Sequence, residues 1–225
     1  VPSFVAFALR VRGHGGLGTV LRPLLETGRG PIEGRPPGES FAHQRWNEFF
    51  PHVGYVMSMA PIAPGSRFHP NLAAQARNKV WTFGTGRTAT GTLPPPLIKA
   101  RYGEPVLTRI YNNLPVDRAD NGGFGRNEIA LHLHNAHNGA ESDGASNAYH
   151  FPGTFYDYLW GTTLARRDRI NSQATVARAS GPDGRGGLVR VPGDFREIQG
   201  TMWFHDHRFF FTAENVYKGN VGKIN

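Results

Sequence analysis

Two short stretches hold side chains whose types and spacing suit chemistry. "LHLHNAH", Leu131 to His137, and "MWFHDH", Met202 to His207, each place two histidines one residue apart. In an extended strand, residues i and i+2 leave the same face about 6.5–7 Å apart. His132 and His134 then present two imidazoles side by side, and His205 and His207 do the same. Imidazole suits copper, zinc, iron and nickel, and either ring nitrogen can bind. Two facing strands with such pairs would supply four nitrogen ligands. Spacing alone leaves open whether they grip one ion or share several.

A single His-x-His is a weak signal, since surface or hydrogen-bonded core histidines often account for it. Two pairs among apolar, strand-like residues say more. Burying four neutral imidazoles leaves a donor and an acceptor on each to satisfy. A metal takes the acceptor, and nearby carbonyls or carboxylates take the donor. His14, His43, His52 and His69 sit in loop-like contexts and read as solvent-facing or hydrogen-bonding residues. His137 and His150 lie close to the first pair in sequence and are candidates for supporting it.

The elements that must position these pairs read as short strands. Glycine (29) and proline (17) make up about a fifth of the 225 residues, which favours many turns and an all-β architecture. "KVWTFG", "LIKARYG", "PVLTRIYNNLP" and "TFYDYLWG" are β-branched or aromatic runs bounded by Gly, Pro or Asn. "EIALHLHNA" alternates, with Ile129, Leu131 and Leu133 on one side and Ala130, His132 and His134 on the other. "EIQGTMWFHDH" resumes the strand pattern, and a short helix is expected near Thr212.

Residues 1–40 read as an irregular arm with one short turn around "VLRPLLE", and "VGYVMSMA" reads as a strand. The chain divides into an N-terminal extension, 1–78, packing on the core or a partner, and a domain, 79–225, with a polar loop-rich insertion at 161–194. Trp203, Phe204 and Phe209 would exclude bulk water and stiffen the histidines, although ordinary core packing is expected to be their main role.

Composition excludes several functions. No cysteine is present, so disulfides, thiolate zinc sites, a cysteine nucleophile and a blue-copper centre are excluded within this chain. No stretch approaches the roughly 18–20 apolar residues of a membrane-spanning helix, so no membrane partner is expected. The net charge of +8 invites a nucleic-acid reading. The arginines are spread along the chain and no common nucleic-acid motif is present, so no nucleic-acid partner is expected either. The basic balance reads as a solvated face or one that docks on an acidic partner. The chain begins at Val1, which fits removal of an export signal, other proteolysis, or a longer precursor.

Taken in order, these residues resemble the multicopper oxidases, the laccase-like family, and in particular their first cupredoxin domain. "PLIKARYGEPVLTRIYNNLP", Pro96 to Pro115, is similar to the family's strand, Gly turn, strand and "NNLP" lead into the copper loop. "HLHNAHNGAESDG", His132 to Gly144, resembles the first copper motif of bacterial spore-coat-type laccases. "PGTFYDYLW" resembles the strand that follows, and "GTMWFHDHRFFFTAENVYKG" resembles the second motif and its "NVY-x-G" tail. The match covers roughly residues 79–160 and 195–222.

The resemblance implies a cupredoxin-like Greek-key β-sandwich or barrel. It also implies a trinuclear copper cluster that reduces O2 to water with electrons from phenolic or metal-ion donors. By position, His132 would bind the type 2 copper, His134 and His205 one type 3 copper, and His207 its twin. Asp143 falls where the family has an acid that delivers protons, although an Asp-Gly turn explains it equally well; Glu141 is the alternative acid. The family's cluster uses eight histidines and four match here. The remaining cupredoxin domains, with the type 1 copper, are therefore expected as a separate chain, a cleaved fragment or a further segment. The resemblance also implies a periplasmic or extracellular protein.

Two other functions compete. One is a non-catalytic copper-binding or storage protein on the same fold. The other is a cupin-type mononuclear metal enzyme. Cupins usually place Glu three or four residues beyond the pair, and "NAHNGA" has none there.

Overall fold

In a computed structural model the described residues are 10–13, 16–19, 53–101, 105–145, 148–162 and 200–225. The "VLRPLLE" turn, His14, His43, His52 and nearly all of the 161–194 insertion lie outside them.

Among the described residues ten strands form two sheets. β1 (Arg10–Gly13), β2 (Gly16–Thr19), β3 (Val53–Pro61), β4 (Trp81–Thr85), β6 (Val106–Asn112) and β8 (Phe155–Trp160) make the larger one. Its order is β2-β1-β3-β6-β8, with β4 pairing the far end of β3. The smaller sheet runs β5 (Leu97–Ile98), β10 (Val221–Ile224), β9 (Met202–Asp206), β7 (Leu131–His134). Parallel and antiparallel pairs occur in both. The architecture is all-β, as expected, with one short α-helix among the described residues, α1 (Thr212–Tyr217), where the sequence placed it.

Strands β3 and β6 pair in parallel from Val53 against Val106 to Met59 against Asn112. Every residue of β6 is buried, which explains its lack of clean alternation: a central strand covered on both faces reads as a continuous run. β3 therefore belongs to the sheet itself, although it lies within the stretch set apart as an extension. On one face of β6 sit Val106 and Ile110. The other face carries Arg109, which forks onto Asp157 of β8 at 2.7 and 2.9 Å, with both side chains fully buried. Two opposed charges tied by two hydrogen bonds are tolerated where either alone would not be.

The core fills the space between the sheets. Met57, Met59, Tyr156, Tyr158 and Trp160 come from the larger sheet; Leu131, Leu133, Met202, Phe204 and Ile224 come from the smaller. Phe204 packs edge-on to Phe83 at 5.0 Å and presses on Gly222 of β10. A Cβ at Gly222 would lie 2.2 Å from the Phe204 ring, so glycine is required there by contact. β10 was not foreseen. Four residues with a glycine and a lysine give no strand signal of their own, and the pairing of Val221 with His205 makes them one.

The segment after His207 is anchored by Lys218. Its ammonium donates to the carbonyls of Asn78 and Asn121 at 2.5 and 2.6 Å and sits over the Trp81 and Phe124 rings. Burial pulls the lysine down to about 8, while the two carbonyls and ring faces favour the cation. Among the described residues no helix is long and apolar enough to cross a membrane.

His150 is fully buried beside Tyr156 and Tyr158, and neither ring nitrogen has a hydrogen-bond partner. Burial lowers its pKa to about 3. The unfolded chain therefore binds a proton near 6.5 that the folded chain refuses. The stability His150 allows is complete above pH 6.5 and is lost as pH falls toward 3. Relative to a His150→Phe variant, the protein should lose about 2 kcal/mol between pH 7 and pH 5. Urea melts of both proteins at the two pH values check this, and a constant difference between them would refute it. The comparison is differential because Asp206, described below, titrates in the opposite sense.

Candidate metal centre

β7 and β9 are antiparallel neighbours, and their register sets His132 directly opposite His205 and His134 opposite Trp203. Leu131, Leu133, Met202 and Phe204 point into the core, so His132, His134, Trp203 and His205 share the other face. The ladder continues past the strand end, where the His207 amide donates to Ala130 O at 2.6 Å. His207 is thereby held beside the same group.

All four imidazoles gather. The His132 ring centroid is 5.4 Å from His134, 5.4 Å from His205 and 5.2 Å from His207. His134 and His205 are 5.7 Å apart, and His205 and His207 6.0 Å. One ligand atom from each of His132, His134 and His205 lies within 4.8 Å of the others, a set able to hold a metal ion. His207 is adjacent by its ring but is not in that set of three.

Hydrogen bonds fix which nitrogen is available. His132 Nδ1 lies 2.8 Å from the Asp143 carbonyl and 3.1 Å from the Asp143 carboxylate. His205 Nδ1 lies 2.8 Å from the Asp206 carbonyl. An oxygen acceptor on Nδ1 makes that nitrogen the N–H, so Nε2 keeps its lone pair for a metal in both. His205 is only 6% exposed, and its pKa is lowered, first by burial and then by the other three imidazoles. The arrangement thus favours the neutral form of His205, the form that binds metal.

The loop between β7 and β8 supplies the acid. A single 3-10 turn, Ala140–Ser142, ends at Asp143, and Ser142 ties it to β8 by accepting from Leu159 N and Trp160 Nε1. Asp143 is both a turn residue, before Gly144 at φ +76°, and a direct neighbour of His132. Glu141 sits in the same turn, its carbonyl accepting from the Tyr156 hydroxyl at 2.7 Å. Gly144 is where the two histidine pairs meet the loop: a Cβ there would lie 2.9 Å from His207 Cβ and 3.1 Å from His132 Cβ.

Three features went unrecognised in the sequence. The first is Asp206, the middle residue of the second pair. It points inward, fully buried, and accepts from Ala130 N, Arg208 N and Asn215 Nδ2 at 3.0, 3.0 and 2.9 Å. Burial raises it to about 7 despite those donors. The second is Gly144. The third is the placement of Trp203, whose stiffening of the histidines was ranked below core packing; it is 36% exposed on the histidine face, because i and i+2 share a face and His205 is two residues on. Phe204 is core as expected, whereas Phe209 is 51% exposed.

Three further histidines fall among the described residues. His69 is exposed and accepts from Asn71 N, a loop role. His137 is exposed, and His150 packs on tyrosines.

No family model matches the chain. A laccase from Bacillus stratosphericus is 28% identical over 153 residues, covering 64% of this chain and 24% of the relative. The chain thus spans about a quarter of that laccase's length. Similar solved structures include a multicopper oxidase from Pseudomonas thermotolerans, with TM-score 0.43 and 16% identity, over 76% of this chain and 28% of that one. A second is the multicopper oxidase mgLAC, with TM-score 0.44 and 19% identity, over 76% and 37%. A third is a metallo-oxidase from Campylobacter jejuni, with TM-score 0.43 and 13% identity, over 76% and 25%.

Proposed function

We propose that this multicopper oxidase-like chain contributes His132, His134, His205 and His207 to a trinuclear copper cluster that reduces O2 to water. The observation that carries the reading is the convergence of His132, His134 and His205, with two Nδ1 hydrogens already engaged. An all-imidazole set suits copper as it does zinc, iron and nickel, and the likeness to a laccase favours copper among them. When bound, the copper ions would accept four electrons one at a time and pass them to O2, which takes four protons to give two waters.

The chain's own residues hold and orient that set. His132 would serve the type 2 ion, His134 and His205 one type 3 ion, and His207 its twin. Asp143, with its carboxylate on His132, would carry protons inward; Glu141 in the same turn is the second candidate. Further cupredoxin domains, on a separate chain or segment, would bring the other ligands and the type 1 copper that oxidises a phenol or metal ion. The working compartment would be periplasmic or extracellular.

The test is copper content and electron paramagnetic resonance of the intact particle, with oxygen uptake on dimethoxyphenol. Three or four coppers per particle with turnover are expected. One copper without oxygen consumption would favour copper storage. Asp143→Asn should lower oxygen uptake by about 100-fold while copper content stays unchanged, because a positioned proton donor typically contributes 10²–10⁴-fold. The loss should deepen as pH rises and protons become scarce. Unchanged turnover across pH would remove Asp143 from the proton path.

A further inference from the structure

Trp203 occupies an unusual place for a tryptophan in a sandwich protein. It lies on the imidazole face, opposite His134 across the ladder and two residues from His205 along the strand. Its indole stacks on both rings, at 5.0 Å and 21° to His134 and at 4.3 Å and 29° to His205. The two imidazole centroids are themselves 5.7 Å apart. A ring wedged between them would hold them farther apart than that, so the indole flanks both from one side.

Such a surface controls a torsion that is otherwise soft. The second side-chain torsion of histidine is broad, so an imidazole can swing its donor nitrogen without leaving a preferred rotamer. His132 and His205 each have a carbonyl acceptor to stop that swing. The His134 ring instead brings its Nδ1 within 3.5 Å of His205 Nε2, a second prospective ligand. A flat neighbour nearly parallel to both rings fixes their tilt together.

We infer that Trp203 is a positioning residue of the metal centre, one indole face setting the orientation of His134 and His205 so that their donor atoms converge. The inference rests on the copper reading above. Trp203 touches no ligand-donor role itself; it acts through the two histidines. Its 36% exposure leaves it little part in the core, so its removal should spare the fold.

The experiment uses the purified native protein with any associated chains, stripped of metal and titrated with Cu(II). Trp203→Ala should weaken Cu(II) binding about tenfold, the scale of two aromatic stacks, and change the copper hyperfine pattern. Trp203→Phe keeps a flat ring and should restore both. Of the four tryptophans, Trp203 stacks on two prospective ligands, so Cu(II) should quench an emission component in the wild type that Trp203→Phe lacks. Copper binding by Trp203→Ala with wild-type affinity and hyperfine pattern overturns the role and leaves the copper reading standing. Equal loss of binding in both variants, with a lowered melting temperature, assigns Trp203 to folding and overturns it too. A wild type that takes up no copper overturns both.

Discussion

His205→Ala should lose copper and oxygen uptake by more than about 100-fold while keeping its β-sheet circular dichroism. His205 belongs to the convergent set of three, its ring within 5.4 to 6.0 Å of the other three histidine rings and stacked on Trp203. Changing a residue that only supports a ligand typically costs 10–100-fold in metal affinity or activity, so deleting a ligand exceeds that range. The fold should survive, because the core side of β9 is built by Met202 and Phe204. Copper content per particle and oxygen electrode rates, read beside the spectrum, check the result. Retained copper and turnover would remove His205 from the ligand set. His150→Ala is the useful contrast, since its ring sits among tyrosines and its loss should leave copper content alone.

Asp206→Ala should cost roughly 3–5 kcal/mol of stability, a large fraction of the ~5–15 kcal/mol typical of a folded domain. The carboxylate accepts from two main-chain amides and from Asn215, all at an interior site. Each donor left buried without an acceptor costs roughly 1–3 kcal/mol. The loss spreads further, since Asn215 also accepts from Arg126 N through its other amide atom. Asp206→Asn should fall between, because one amide oxygen can serve some of the donors while its NH2 faces another. Chemical denaturation of the metal-free protein measures all three. An Asp206→Ala protein within 1 kcal/mol of wild type would mean that these contacts rearrange without cost.

Much of this was legible in the residues because it depends on local repeat. The alternation through Leu131, His132, Leu133 and His134 sets which side chains leave the core, and the same parity holds from Met202 to His205. The β-branched and aromatic runs located β4, β6, β8 and β9 for the same reason. What stayed hidden depends on partners distant in the chain. Trp203 and Phe204 look alike in composition, and only the pairing of Trp203 with His134 gives the indole its place. Asp206 reads as a spacer between two histidines until Ala130 and Asn215 are brought to it. β10 exists because β9 and β5 flank it.

The bare Cα at Gly144 has a wider meaning for the chemistry. Its φ of +76° and its closeness to both His132 and His207 make the gap between the two ligand strands and their loop a matter of main chain against side-chain roots. Such a gap has no rotamer to relax and no methylene to trim. Drift in the hydrophobic interior can therefore alter how firmly the protein stands while the gap between the two histidine strands and their loop stays set by the main chain.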